Sequence, residues 1–164
     1  MIRFDLHVPE NCASSALTDN SLINRFISSL KAKIEHSQSQ SRNQGNRVHK
    51  TNVRFLWCRE VSNTNRVHFH LALFLNNDAY AFVGKYKTEN KNMFSRIHQA
   101  WGSALSTAPE DIQGLIHFPE NHTYLISRDD EHSFQDAFYR ISYMCKMNSK
   151  EFKNHHHSFG FSRI

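Results

Sequence analysis

Residues 66–75 read RVHFHLALFL, and after Arg66 only His68 and His70 interrupt an apolar run. On an extended chain, side chains two residues apart share a face. His68, His70, Ala72 and Phe74 then look one way. Val67, Phe69, Leu71, Leu73 and Leu75 look the other way and make that face wholly hydrophobic. Imidazoles paired like this suit a divalent ion. Glu60, on the preceding segment, adds a carboxylate if the parity of the hairpin allows it. A loop of Asn63, Thr64 and Asn65 sets Glu60 opposite His68 and Cys58 opposite His70. A two- or four-residue loop would send Glu60 to the far face unless a bulge restored it. One carboxylate and two imidazoles leave open positions on a bound ion, and magnesium or manganese held this way polarises a phosphate oxygen. Zinc also fits the ligand types. The plainer alternative is a pair of half-buried histidines on the solvent side of a strand.

A second group lies in SFQDAFYRISYMCKMN, residues 133–148. At about 100° per residue, Phe134, Phe138, Ile141 and Cys145 form one stripe, the expected core face. Tyr139, Tyr143, Lys146 and Lys150 form the opposite one. A tyrosine hydroxyl is a weak nucleophile at its free pKa of about 10. A neighbouring cation favours the phenolate, and a metal-bound phosphate is an activated target. Tyr143 and Lys146 are one helical turn apart and can address one ligand. The alternative is a pair of amphipathic tyrosines packing on a nearby loop or tail.

These groups need a sheet and a helix laid over it. IRFDLHV (2–8) alternates as a first strand and ends at Pro9. From Ser21, Leu22, Ile23, Phe26, Ile27, Leu30 and Ile34 recur at helical spacing, with Asp19 or Ser21 as cap. Residues 37–52, SQSQSRNQGNRVHKTN, are polar and read as a flexible loop, either a solvated linker or a nucleic-acid contact. Further strands are expected at 53–61, 67–76, 114–119 and 123–127, and a helix at 91–105 buries Met93, Phe94, Ile97, Trp101 and Leu105. The class is α+β, one domain over residues 1–164, with a central, mainly antiparallel sheet flanked by helices.

Lys and Arg number 20 against 15 Asp and Glu, with a pI near 9.2, which suits a polyanionic partner. Cys12, Cys58 and Cys145 form no CxxC, so neither a disulfide framework nor a zinc ribbon is indicated. No signal-peptide run or membrane-length stretch is visible, so a soluble cytoplasmic protein is expected.

His68-Phe69-His70 resembles the histidine–hydrophobe–histidine motif of HUH endonucleases, and Tyr143-Met144-Cys145-Lys146 resembles their YxxK motif. The blocks DLHVP, FLWCRE, VHFHLALFLN, RIHQAW, SYMCK and SFGFSR span nearly the whole chain. Together they resemble the inovirus-type replication initiation proteins and the related YagK/YfjJ-type prophage proteins. The resemblance implies a metal-dependent enzyme that nicks single-stranded DNA at a replication origin, keeps the 5′ end as a phosphotyrosine and releases a 3′ hydroxyl that primes rolling-circle synthesis. It implies His68, His70 and Glu60 as ligands to Mg2+ or Mn2+, Tyr143 as nucleophile and Lys146 as its partner. Tyr139 would be a secondary tyrosine for a second transfer. Arg42, Arg47, Lys50, Lys153 and Arg163 would neutralise phosphates, and Phe159 and Phe161 would stack on bases. A chain of this length has no room for a fused helicase, so a host helicase and polymerase are expected partners. The neighbouring readings are a transposase or relaxase using the same chemistry, and a DNA-binding regulator that keeps the fold without the activity.

Overall fold

The computed structural model describes residues 1–12, 19–62, 66–145 and 157–163. Its strands are β1 (Ile2–His7), β2 (Arg54–Val61), β3 (Val67–Phe74), β4 (Ile116–His117) and β5 (Phe159–Phe161). They form a sheet of order β4-β1-β3-β2-β5, antiparallel at every pairing. The helices are α1 (Ser21–Asn43), the single turn α2 (Asn77–Tyr80), α3 (Met93–Leu105) and α4 (Glu131–Met144). The α+β class with a helix-flanked antiparallel sheet is therefore as expected.

Alternation along the strands sorts the two faces. Phe4, Leu6, Trp57, Phe69, Leu71 and Leu73 bury on one face against Ile23, Phe26 and Leu30 of α1 and Ile97 and Trp101 of α3. Phe26 and Trp101 meet edge to face at 5.9 Å, and the indole N–H donates to the His7 carbonyl at 3.3 Å. Burying each such ring contributes roughly 1.5–3 kcal/mol. The opposite face carries a thinner layer. There Ala137 and Met144 of α4 cover Met1, Cys58 and Ala72, with Tyr124 and Ile126 packed alongside. Among the described residues no helix is long and apolar enough to cross a membrane.

Four expectations need correction. Residues 37–43 are not loop but the last turns of α1. Glutamine is a good helix former and serine a mediocre one, and nothing interrupts them until Gly45. Gly45 takes φ +78°, and its N–H bonds the Arg42 carbonyl, which ends the helix. Residues 123–127 do not form a strand; Thr123 makes one bridge to Ile2, and Tyr124 and Ile126 bury under α4 instead. The strand expected at 114–119 shrinks to Ile116–His117. Finally, Phe134 and Phe138 are not the core face of α4. They are exposed and stack on each other, while Ala137 and Met144 take the buried positions. The small Ala137 lets the helix lie close to the sheet, and the two phenylalanines project from its flank.

The fifth strand comes from FGF near the C-terminus. Cys58 pairs with Phe159, Trp57 with Gly160 and Leu56 with Phe161. A Cβ on Gly160 would lie 2.6 Å from the Trp57 indole. Gly160→Ala is therefore expected to loosen β5 from the sheet and cost roughly 1–3 kcal/mol, as overpacking does. Thermal unfolding followed by circular dichroism checks this, and an unchanged midpoint would show that Trp57 yields freely.

Candidate metal centre

The register of the β2–β3 hairpin places the site. Glu60 pairs with His68 and Cys58 with His70, the parity a three-residue connection produces. Residues 63–65 themselves lie outside the described residues. One oxygen of Glu60, Oε2, lies 3.3 Å from His68 Nε2 and 3.1 Å from His70 Nε2. The three ligand atoms all fall within 4.8 Å of one another, and each residue is half-buried. The imidazoles meet edge to face at 5.0 Å, so their lone pairs converge rather than run parallel.

β1 adds a carboxylate on the other side of β3. Asp5 pairs with His70, and its Oδ1 is 2.7 Å from His70 Nδ1. Nδ1–H donates to Asp5, which leaves the Nε2 lone pair for the centre. A ligating histidine is oriented in this way by an outer carboxylate. Behind Asp5 stands Arg3, buried on the same strand face at 3.7 Å. Burial by itself would raise the Asp5 pKa, but the hydrogen bond and charge of His70, then the charges of Arg3 and His117, hold it below the usual carboxylate range. For His70, burial opposes protonation, and the hydrogen bonds and charges of Asp5 and Glu60 outweigh it and raise its pKa.

The donor set fits a divalent cation. It offers a carboxylate oxygen and two imidazole nitrogens from rigid, hydrogen-bonded strands, with a fixed tautomer on one of them. Asp5→Asn is expected to weaken Mn2+ binding by about 10- to 100-fold. Calorimetric titration of the protein with Mn2+ checks it, and unaltered affinity would remove Asp5 from the centre.

Asp5 is the partner of His70 in the fold. Its signal was there: Arg3, Asp5 and His7 occupy alternate positions of one strand face, as His68 and His70 do. His7 lies opposite His68 and stacks on it at 5.7 Å, and His117 lies opposite Asp5. The rim of the centre is thus rich in imidazole.

α4 lies over this same face. Asp130 caps it, accepting from the backbone N–H of His132 and Ser133. Cys145, immediately after the helix, has its Sγ 3.6 Å from that of Cys58, the residue across from His70. The Tyr143 end of α4, rather than its Glu131 end, therefore sits beside the histidine row. Tyr143 and Tyr139 are both exposed, and Tyr139 stands one turn farther from that end. Lys146 and Lys153 lie outside the described residues. The structure does not bring the remaining cations to the centre. Arg42 ends α1, and Arg47 and Lys50 lead into the Arg54 end of β2. Glu60 is at the other end, about 20 Å away at ~3.3 Å per residue. Arg163, just past β5, is also on the Arg54 side. Phe159, across from Cys58, is nearer the centre and exposed, as is Phe161.

Residues 1–162 match the family model of the YagK/YfjJ C-terminal domain. The uncharacterized protein YagK of Escherichia coli K12 is 32% identical over 172 residues, covering 99% of this chain and 82% of its own length. The uncharacterized protein YfjJ of the same strain is 32% identical over 175 residues, covering 99% of this chain and 84% of its own. No solved structure matches.

Proposed function

We propose that this chain, which belongs to the YagK/YfjJ C-terminal domain family, is a metal-dependent single-strand DNA nickase and rejoiner of the HUH type. It would act in the cytoplasm and start rolling-circle replication of a phage or prophage element. The observation that carries this reading is the convergence of Glu60, His68 and His70 on a face that Asp5 braces from behind and the tyrosine-bearing α4 overlies. Glu60, His68 and His70 would hold Mg2+ or Mn2+, and such an ion polarises the scissile phosphate when bound.

In the reaction, Tyr143 Oη attacks phosphorus and gives up its proton. The Oη–P bond forms as the P–O3′ bond breaks, and the departing 3′ oxygen takes a proton to become a hydroxyl. The phosphodiester energy is kept in the phosphotyrosine, so rejoining needs no ATP. Lys146 would favour the phenolate, and Tyr139 would serve at most a second transfer.

Incubating the protein with labelled single-stranded DNA and Mn2+ tests the reading. A covalent protein–DNA band is expected. DNA binding without any adduct, under either metal, would favour a regulator on the same fold.

Arg42, Arg47 and Lys50 would hold DNA flanking the cut rather than the scissile phosphate, given their distance from Glu60. Neutralising all three should lower affinity across sequences and flatten the salt dependence by about 0.7 per lost phosphate contact, leaving the cleavage position unchanged. An unaltered salt slope, measured by fluorescence anisotropy, would return them to a solvated surface.

A further inference from the structure

Two thiols that no step above uses sit beside the centre. Cys58 is buried in β2, and Cys145 is exposed at the C-terminal cap of α4, with their sulfurs 3.6 Å apart. The separation is that of a thiol–thiol hydrogen bond rather than a covalent one; closure to about 2.05 Å asks for a shift of only some 1.5 Å. Beyond Met144 the cap residue is exposed, and its N–H bonds only the Ser142 and Tyr143 carbonyls of its own last turn. Cys12 cannot interfere, because it packs with the larger core on the other face of the sheet.

We infer that Cys58 and Cys145 form a reversible redox-modification site whose disulfide fastens the tyrosine-bearing end of α4 to β2, next to His70. Glutathione disulfide is a sufficient oxidant. The exposed Cys145 thiolate attacks it and releases one glutathione, forming a mixed disulfide. The Cys58 sulfur, already in contact, then displaces the second glutathione. Two protein thiols are oxidised, one glutathione disulfide is reduced to two glutathiones, and the released protons go to those products. Buried Cys58 needs no access to the oxidant, because its attack is intramolecular. The bond would close a long loop, joining β2 to the end of the last helix, and such closures restrict the unfolded chain most. The inference stands on the sulfur geometry and does not depend on nicking activity.

The test treats the whole chain with glutathione disulfide, blocks remaining thiols in denaturant and maps the peptides. Three reactive thiols should fall to one, Cys12, with Cys58 and Cys145 recovered in one linked peptide. The melting temperature of the oxidised form should rise by about 5 °C or more and return on reduction. Cys145→Ser, at an exposed position, should abolish the linked peptide and that rise together. Glutathione retained on Cys145 without the internal bond would overturn the inference, and so would three thiols surviving the oxidant.

Discussion

Tyr143→Phe is expected to remove covalent attachment to DNA by roughly a thousandfold or more while leaving folding and DNA affinity unchanged. The substitution deletes one oxygen. Tyr143 is half exposed on α4, whose buried side chains are Ala137 and Met144. Loss of the hydroxyl therefore costs little packing, and a stability effect within about 0.5 kcal/mol is expected for such a surface change. Tyr139→Phe is the internal comparison. It sits one turn back and is more exposed, so first-strand cleavage should persist. The readout is the protein–DNA band, with the modified peptide identified by mass spectrometry. A nucleotide found on Tyr139 would move the nucleophile within the helix and keep the chemistry. An adduct surviving the double substitution would eliminate attack by the tyrosines of α4.

Hairpin parity was legible because a strand has a period of two, so a single assumption about three loop residues fixed Glu60, His68, Cys58 and His70 on one face. The register bears that placement out. Asp5 was harder to place. No local pattern tells a chain that residue 5 pairs with residue 70, and only the sheet order β1-β3-β2 brings the two carboxylates to opposite sides of one imidazole. The buried face of α4 is hidden from the sequence for a related reason. Helical spacing groups Phe134 and Phe138 with Ile141 and Cys145 in one stripe, yet both phenylalanines are exposed. The contacts of α4 with the sheet come from Ala137 and Met144, with Ile141 packed alongside. Polarity makes the end of α1 read as loop, although a polar helix end persists where Gln38 ties back to the His49 carbonyl and Arg96 reaches Ser37.

His68→Ala is expected to lower Mn2+ affinity by at least about a hundredfold, since a direct ligand should be worth no less than the 10- to 100-fold of an outer partner. Nicking should fall with it, and added metal should restore it only in part. The proton supplies a control that a merely structural histidine would not reproduce. In the metal-free protein His70 is flanked by two carboxylates, Asp5 at Nδ1 and Glu60 at Nε2, and its pKa is raised above that of an unfolded chain. Its protonated form thus stabilises the metal-free fold below the unfolded value, and that contribution disappears as pH rises through the higher folded value. A cation needs the Nε2 lone pair, so it must displace this proton. Metal affinity should accordingly climb as pH rises through the raised His70 pKa and level off above it. Asp5→Asn removes a principal cause of the raised pKa. The climb should then begin at lower pH, even though affinity at its plateau is weaker. The measurement is the Mn2+-induced shift in melting temperature across pH 5.5 to 8.5, a range set by the ordinary histidine pKa of about 6.5. A shift independent of pH in both the wild type and Asp5→Asn would mean that His70 does not ligate the ion, and the centre would have to be rebuilt without it.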